Sequence, residues 1–529
     1  MEVFELVIAL LLGGVVLAAV ARRMATPYPA LVAIAGAALA LLPGVPVLVL
    51  EPALVLTLFV APVLLDAAFD ASQRDLRRNW HAVAGLALGA VVLTIIVVAV
   101  VAHTLVPGLS WTAAIALGAI VAPPDAAAAT AVLKQLRPPN RLLVILEGES
   151  LFNDASALLI YRFAVAASVT GLVSGWSFAG TLLGVGVGSV VLALVLSRIV
   201  LFIVARIEDL PTIVVFQFCS TFAVWLLAER LHLSGILTVV IYAMALSRRS
   251  AETIAARVRL PSYAVWEVAV FVLNVLAFLL VGLQLRQIVE RTGWTEYIGV
   301  AAAVCVAVIL SRMLWVTGAA AVSRWRCRPR GDAREQPRDI VALSGRAAWI
   351  VGWCGMRGTV TLAAALALPV NFPHRNLIFF TSFAVVLVTL VVQGMTLRPL
   401  LTWLDVRDDG SVEREVKLAR VETLRAALEA VRESGGGASA DVLRRRYELR
   451  LRHAEHNEED GDSEIQQAAQ IIRVATEAER RRLIALRNDG TIGDAAFQVV
   501  EQEVDLKELD LQQIVESGPE VRGKPHKSV

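Results

Sequence analysis

Leu146-Glu-Gly-Glu-Ser-Leu-Phe-Asn-Asp-Ala155 places three carboxylates and an amide inside residues 141–168, a stretch otherwise mostly apolar and long enough to cross a bilayer. Ionisable groups at membrane depth are costly, about 3 kcal/mol each on insertion scales, and are by default functional. On a helix, Ser150 and Asp154 are four residues apart and share one side, while Glu149 and Asn153 share an adjacent side. The first face carries a carboxylate with a hydroxyl, able to hold a bare cation or a proton. The second carries a carboxylate and an amide that need a partner to stay buried. Arg312 is the obvious candidate and Arg357 the competitor. Glu149 and Asn153 also fit a plain structural reading as buried hydrogen-bonding residues; Asp154, near mid-span without an assigned counter-ion, does not.

The chain around this stretch has 529 residues, 57% hydrophobic and 18% charged, against about a quarter charged in a soluble domain. Residues 1–404 hold 29 Lys+Arg and 20 Asp+Glu, whereas 405–529 hold 20 and 27, so the overall +2 hides a +9 body and a −7 tail. A membrane body and a water-soluble tail follow. Apolar runs long enough to span number about thirteen: approximately 3–21, 28–48, 51–69, 81–105, 111–134, 141–168, 176–205, 211–229, 232–247, 263–285, 297–323, 347–369 and 376–396. With the N-terminus outside, the inner loops hold 20 Lys and Arg and the outer loops only four, Arg230, Arg286, Arg291 and Arg375. The positive-inside rule therefore puts the N-terminus out and the tail in the cytoplasm. Met1-Glu-Val-Phe-Glu5 lacks the positive start of a signal peptide. Cys219, Cys305, Cys327 and Cys354 fit neither a disulfide framework nor a zinc site and read as small buried hydrophobes.

Two spans should be interrupted. In the fifth, Ala122-Pro-Pro-Asp125 removes two backbone donors and sets Asp125 beside unwound backbone. In the twelfth, Gly355-Met-Arg-Gly358 permits a second break with Arg357 at membrane depth. Breaks seven spans apart are the pattern of an inverted-repeat transporter whose broken helices cross at the midplane beside a binding site. Asp66, after Ala61-Pro-Val-Leu-Leu65, is a candidate cation-pathway carboxylate. Arg162 reads as a cap or a snorkelling side chain, Asn274 and Gln217 as contacts between helices, and His103 as an interfacial residue with no mark of a ligand. In the tail, heptad-like spacing over 416–431, 471–486 and 499–511 predicts helices. Asp489-Gly-Thr-Ile-Gly-Asp494 lacks the third-position acid and closing glutamate of a calcium loop. The Arg324–Arg338 run reads as a solvated loop against anionic lipid.

Glu147-Gly-Glu-Ser-Leu-Phe-Asn-Asp-Ala155 resembles the sixth-helix signature of bacterial sodium/proton antiporters of the monovalent cation:proton antiporter family, relatives of the animal sodium/proton exchangers. Ala122-Pro-Pro-Asp125 is similar to that family's Thr-Asp-Pro break, Gly355-Met-Arg-Gly358 to its Gly-Leu-Arg-Gly break, and Ser311-Arg312 to its core arginine. The likeness runs from about residue 5 to 404 in matching order.

The resemblance implies an all-α polytopic protein with inverted repeats and two crossed broken helices, followed by a helical cytoplasmic tail. It further implies a homodimer in the cell membrane, with dimerisation helices and a six-helix ion-translocating core. Asp154 would be the carboxylate shared by Na⁺ and H⁺, with Ser150, Asp66 and a carbonyl of the Asp125 break helping to coordinate the cation. Glu149 and Arg312 would form a structural ion pair near Asn153. Exchange of Na⁺ for H⁺ would serve pH and sodium homeostasis, with no cofactor and no nucleic-acid partner. Asn153 stands where an electrogenic relative would carry a second aspartate, which implies one-for-one exchange. Pro124 replaces the family threonine, leaving its carbonyl but no hydroxyl, and Ala126 replaces the following proline, so Li⁺ or K⁺ competes with Na⁺ as the cation. A channel is disfavoured by a single buried aspartate in an asymmetric chain. A signalling scaffold is disfavoured by a tail without P-loop, kinase or Rossmann motifs.

Overall fold

The computed structural model describes residues 2–24, 27–40, 42, 54, 56–125, 128–130, 133, 138–170, 175–283, 296–326, 344–369, 371–406, 408, 410–433, 437–455, 462–489, 491, 496–497, 500–501 and 503–504. Ala126, Lys134, Arg137, Arg286, Arg291, Cys327, the arginines of 327–343 and most of the 499–511 repeat lie outside them. Every described regular element is helical. The chain divides into two compact units, Met1–Asp409 and Gly410–Val529.

The first unit begins with α1 (Glu2–Met24), α2 (Tyr28–Ala40) and α3 (Ala61–Asp70), the last preceded by a π-helical turn, Leu56–Val60. α4 (Trp80–Leu105) contains a π-turn at Gly85–Ala90. α5 (Trp111–Val121), α6 (Asn140–Thr170), α7 (Gly175–Val204), α8 (Leu210–Arg230), α9 (Gly235–Thr253), α10 (Ala256–Leu283) and α11 (Ile298–Arg326) follow. α12 (Gly345–Trp353) and α13 (Thr359–Leu366) flank a five-residue interruption, and α14 (Arg375–Leu404) has a π-turn at Thr389–Gln393. Several starts are set by side-chain caps that satisfy an orphan N–H of the first turn. Ser110 accepts from Ala113 at 3.2 Å, Asp209 from Thr212 at 3.0 Å, and Ser344 from Ala347 at 3.1 Å.

Among the described residues, six helices are long and apolar enough to cross a membrane: within α4, α7, α8, α10, α11 and α14. α6, at 31 residues, is longer than any of them, yet it carries Arg141, Glu147, Glu149, Asp154 and Arg162. Its charge is what sets it apart. The buried apolar residues form three clusters. One joins α1, α2, α4, α6 and α10–α14; the second joins α4, α5, α6, α11, α13 and α14; the third joins α3, α4, α6, α7, α8, α9 and the start of α10. α6 contributes to all three. α2 and α10 cross with almost no gap: a side chain at Gly36 would meet the Leu279 carbonyl at 2.5 Å, and Gly282 faces the Ala33–Gly36 backbone in the same way.

In the second unit, α15 (Ser411–Glu433) and α16 (Ala438–Glu455) run antiparallel, with Arg425–Glu455 at 2.7 Å and Arg432–Glu448 at 3.6 Å. These exposed pairs set register more than stability. α17 (Asp462–Asn488) covers the 471–486 repeat. After it, Asp489 accepts from the Thr491 backbone at 3.0 Å.

Candidate functional site

The site is built where two interruptions meet. α5 stops at Val121 because Pro123 and Pro124 cannot donate backbone hydrogen bonds and their rings crowd the turn before them. That leaves the last carbonyls of α5 without helical partners. Arg357, from the interruption between α12 and α13, supplies them: Nε donates to the Val121 carbonyl at 3.0 Å and Nη2 to that of Ala122 at 3.2 Å. Its Nη1 donates to the Gly355 carbonyl, and its backbone N–H to Thr389 Oγ1 at 3.0 Å, in the π-turn of α14. A fixed positive charge at a helix C-terminus also complements the helix dipole. Arg357 is 1% exposed.

The contact is reciprocal, since the Asp125 N–H donates to the Met356 carbonyl at 2.7 Å. Gly358, at the start of α13, lies directly against the Asp125 carboxylate, and a side chain there would overlap it. Asp125 is thus held at the positive end of α13. The Tyr28 hydroxyl, hydrogen-bonded to Asn274, lies within electrostatic reach of Asp125.

α6 passes this crossing with its polar residues inward. Asn153 is fully buried and donates through Nδ2 to the Pro124 carbonyl at 3.1 Å. The backbone oxygen expected to face a cation is therefore already engaged by one donor. Asp154 is buried at 6% exposure and lies within electrostatic reach of Asp125. One turn earlier, Glu149 forms a bidentate pair with Arg312 of α11, one arm Nη1 to Oε1 and the other Nη2 to Oε2 at 2.9 Å; Nη2 also donates to the Val351 carbonyl at 3.1 Å. Glu149 and Arg312 are 1% and 2% exposed. Of the two arginines open to Glu149, Arg312 holds it, while Arg357 serves backbone carbonyls.

The π-turn of α4 helps to seat α6 and α11. Its carbonyls accept from Ser156 Oγ at Ala87, 2.8 Å, and from Trp315 Nε1 at Gly85, 3.0 Å. Ser150 is half-buried, one turn before Asp154. Asp66 is half-buried on α3 and lines a cavity of about 430 Å³ between α3, α7, α8, α9 and α10, shared with Asp70, Arg259, Trp266 and Glu267; Ser150 and Asp154 are not in its wall. Gln217 accepts from Trp266 Nε1 at 2.8 Å, joining α8 to α10, and His103 bonds the Leu109 carbonyl at 2.7 Å. Arg162 pairs with Glu229 of α8, Nη2 to Oε2 at 2.7 Å and to Oε1 at 2.9 Å. The sequence signal for this partner was only a glutamate near the far end of another span.

Two helix interruptions interlocked beside a buried carboxylate are the geometry of a membrane transporter built on broken helices. The solved sodium proton antiporter MjNhaP1 of Methanocaldococcus jannaschii has a similar fold, with a TM-score of 0.62 at 18% identity over 76% of this chain and 98% of that one. The profile of the family described as sodium/hydrogen exchanger, transmembrane, matches residues 6–403, and the chain belongs to that family. It is similar along nearly its whole length to an uncharacterised Na⁺/H⁺ exchanger of Mycobacterium tuberculosis, 29% identical over 96% of this chain and 95% of the relative. A sodium, potassium, lithium and rubidium/H⁺ antiporter of Bacillus pumilus is 28% identical over 76% of this chain and 62% of the relative. The Na⁺/H⁺ antiporter NhaG of Bacillus atrophaeus is 27% identical over 82% and 81%.

Proposed function

We propose that the protein exchanges Na⁺ for H⁺ by secondary active antiport, one for one, at Asp154. The observation that carries this reading is the burial of Asp154 on α6, at 6% exposure, beside the crossing of the two helix interruptions. An ionised carboxylate away from water is costly unless neutralised. A proton or one monovalent cation neutralises it equally. Only the loaded forms are then cheap to move, and competition for the one carboxylate couples the two fluxes. Ser150, Asp66, Asp125 and the Pro124 carbonyl are the accessory cation ligands in this reading. Glu149 and Arg312 hold α6 to α11, and Arg357 holds the interruptions together.

The same reading makes residues 1–404 the transmembrane antiporter domain of about thirteen spans, with inverted repeats, dimerisation helices and a translocating core. Residues 405–529 form a cytoplasmic regulatory tail. The N-terminus is outside, the protein is a homodimer of the cell membrane, and its role is pH and sodium homeostasis without a cofactor. A second reading puts Li⁺ or K⁺ in the place of Na⁺. It is supported by the loss of a hydroxyl at Pro124 and by the range of cations for which the Bacillus pumilus relative is named.

The test is purified protein in liposomes containing a pH-sensitive dye, challenged in turn with Na⁺, Li⁺ and K⁺. Cation-driven proton movement that saturates and disappears in Asp154→Asn is the expected result. Flux that follows voltage alone would point to a channel and overturn the proposal.

A further inference from the structure

Asp154, Leu158 and Arg162 succeed one another at four-residue spacing on α6, so they share one face of the helix. Arg162 lies eight residues beyond the carboxylate, about 12 Å along the axis at 1.5 Å per residue. There it is bound to Glu229 at the C-terminal end of α8. Glu229 Oε1 also accepts from the Gly235 N–H at 3.3 Å, the first residue of α9. The turn between α8 and α9 is tight, with His232 in the left-handed region at φ 57°, and it is pinned to α7 by the Ser234 N–H donating to Ser189 Oγ at 3.1 Å. Three helices are tied together at this end, and Arg162 ties α6 to them. Between Arg162 and Asp154, Leu158 packs against two apolar clusters at once: that of α4, α5 and α11, and that of α3, α7, α8 and α9.

A cavity lies toward the opposite end of these helices. The cavity is walled by Val200–Val204 of α7, by Gln217–Thr221 in the first half of α8, by Tyr242–Ser250 of α9 and by Asp66 and Asp70 of α3. On α7 the pinned Ser189 is at mid-helix and the cavity residues Val200–Val204 are at the C-terminal end. On α9, Gly235 and Ser250 are 15 residues apart, about 22 Å. The ion pair lies toward one end of α8 and α9, and the cavity lies toward the other.

We infer that Arg162 and Glu229, with Leu158 beneath them, form a gate over Asp154 that is shut in this conformation and must part in every transport cycle. The inference rests on the reading of the protein as an alternating-access exchanger. Arg162 and Glu229 are 49% and 32% exposed, so the pair biases the closed state by about threefold, as a partly solvated ion pair can. Leu158 packing supplies the remainder of the seal. The pair is therefore a positioning device. It touches neither the cation nor Asp154.

Two measurements test it. In a background lacking Cys219 and Cys327, Leu158→Cys is exposed to a membrane-impermeant maleimide in intact cells and in inverted vesicles. Glu229→Gln and Arg162→Gln are each expected to raise labelling about threefold from one membrane face only, and the charge reversal Arg162→Glu with Glu229→Arg to restore protection. Unchanged labelling in both single variants would overturn the gate. In the second measurement, Arg162→Cys with Glu229→Cys is joined by a reducible bifunctional thiosulfonate. Exchange should fall to background on linking and return on reduction. Exchange that survives complete linking would show that the two residues need not separate, and would also overturn it. The functional reading fails separately: exchange that persists in Asp154→Asn would refute the shared site while leaving the labelling result intact.

Discussion

Asn153 Nδ2 donates to the Pro124 carbonyl at 3.1 Å, so the residue before Asp154 on α6 is tied to the residue before Asp125 in the first interruption. The two carboxylates cannot move apart without breaking that bond. Asn153→Ala removes the donor and leaves a buried carbonyl unpaired, a loss of about 1–3 kcal/mol. We expect exchange to fall about tenfold or more, since 1.4 kcal/mol is a factor of ten, and the detergent melting temperature to drop with it. Wild-type exchange in Asn153→Ala would mean that the tether does not position Asp154.

Asp154→Asn keeps the size of the side chain and removes the titratable group. Exchange should vanish for every cation tried, while expression and oligomeric state remain those of the parent protein. A site shared by cation and proton requires the parent's apparent cation affinity to weaken up to about tenfold for each unit of acidification once the carboxylate is mostly protonated. A cation affinity flat across the acidic range would argue against a shared site.

Glu149 and Arg312 are a fully buried pair. Removing either charge strands the other, at a cost of about 3–5 kcal/mol, whereas removing both does not. Glu149→Gln and Arg312→Gln should each lower thermal stability sharply, and the double variant should recover part of the loss. Strictly additive losses would show that each residue is held by other partners.

Gly358 is the position where a methyl group would collide with the Asp125 carboxylate. Overpacking of this kind costs about 1–3 kcal/mol. Gly358→Ala should therefore weaken exchange about tenfold or more, with a smaller effect from Gly355→Ala if the Arg312 and Arg357 side chains beside it yield. Equal, small effects at both positions would mean that Asp125 is free to shift.

One carboxylate exchanged between Na⁺ and H⁺ carries no net charge across the membrane, although each charge alone would feel about 2.3 kcal/mol per 100 mV. Liposomes clamped with K⁺ and valinomycin, with Na⁺ and H⁺ gradients balanced, should show no net proton movement at either zero or negative potential. Proton movement that appears only with the imposed potential would indicate a second proton carrier, with Asp66 and Asp125 the groups to test.

Both interruptions were legible because they rest on local chemistry: consecutive prolines at 123–124 and glycines flanking Arg357. The two faces of α6 were legible for a similar reason, since the spacing of Glu149, Ser150, Asn153 and Asp154 is a property of any helix. Pairing across the bundle was harder. Sequence reasoning left Glu149 with two possible arginines, and only the packing of α11 against α12 brings Arg312 to it. The partner of Arg162 was not legible, because a charged residue toward a helix end has many fates and Glu229 is 67 residues away. The π-turns left no mark, because one extra residue in a uniformly apolar helix does not disturb the hydrophobic pattern. Asp66 could be picked out as an unusual charge, but not its placement in the wall of a cavity.

The π-turns of α4 and α14 have a consequence for how this chain tolerates change in length. Each accommodates one residue more than an α-turn would, so each is in effect an insertion fixed in place by its neighbours. Ser156 and Trp315 bond to the carbonyls it displaces in α4, and the Arg357 backbone bonds to Thr389 in α14. Deleting a single residue within 85–90 or 389–393 would let the helix relax to ordinary pitch, turning everything beyond it by about 100°. Outward faces would then point inward along the rest of the helix. For these two helices the number of residues is as constrained as their identity.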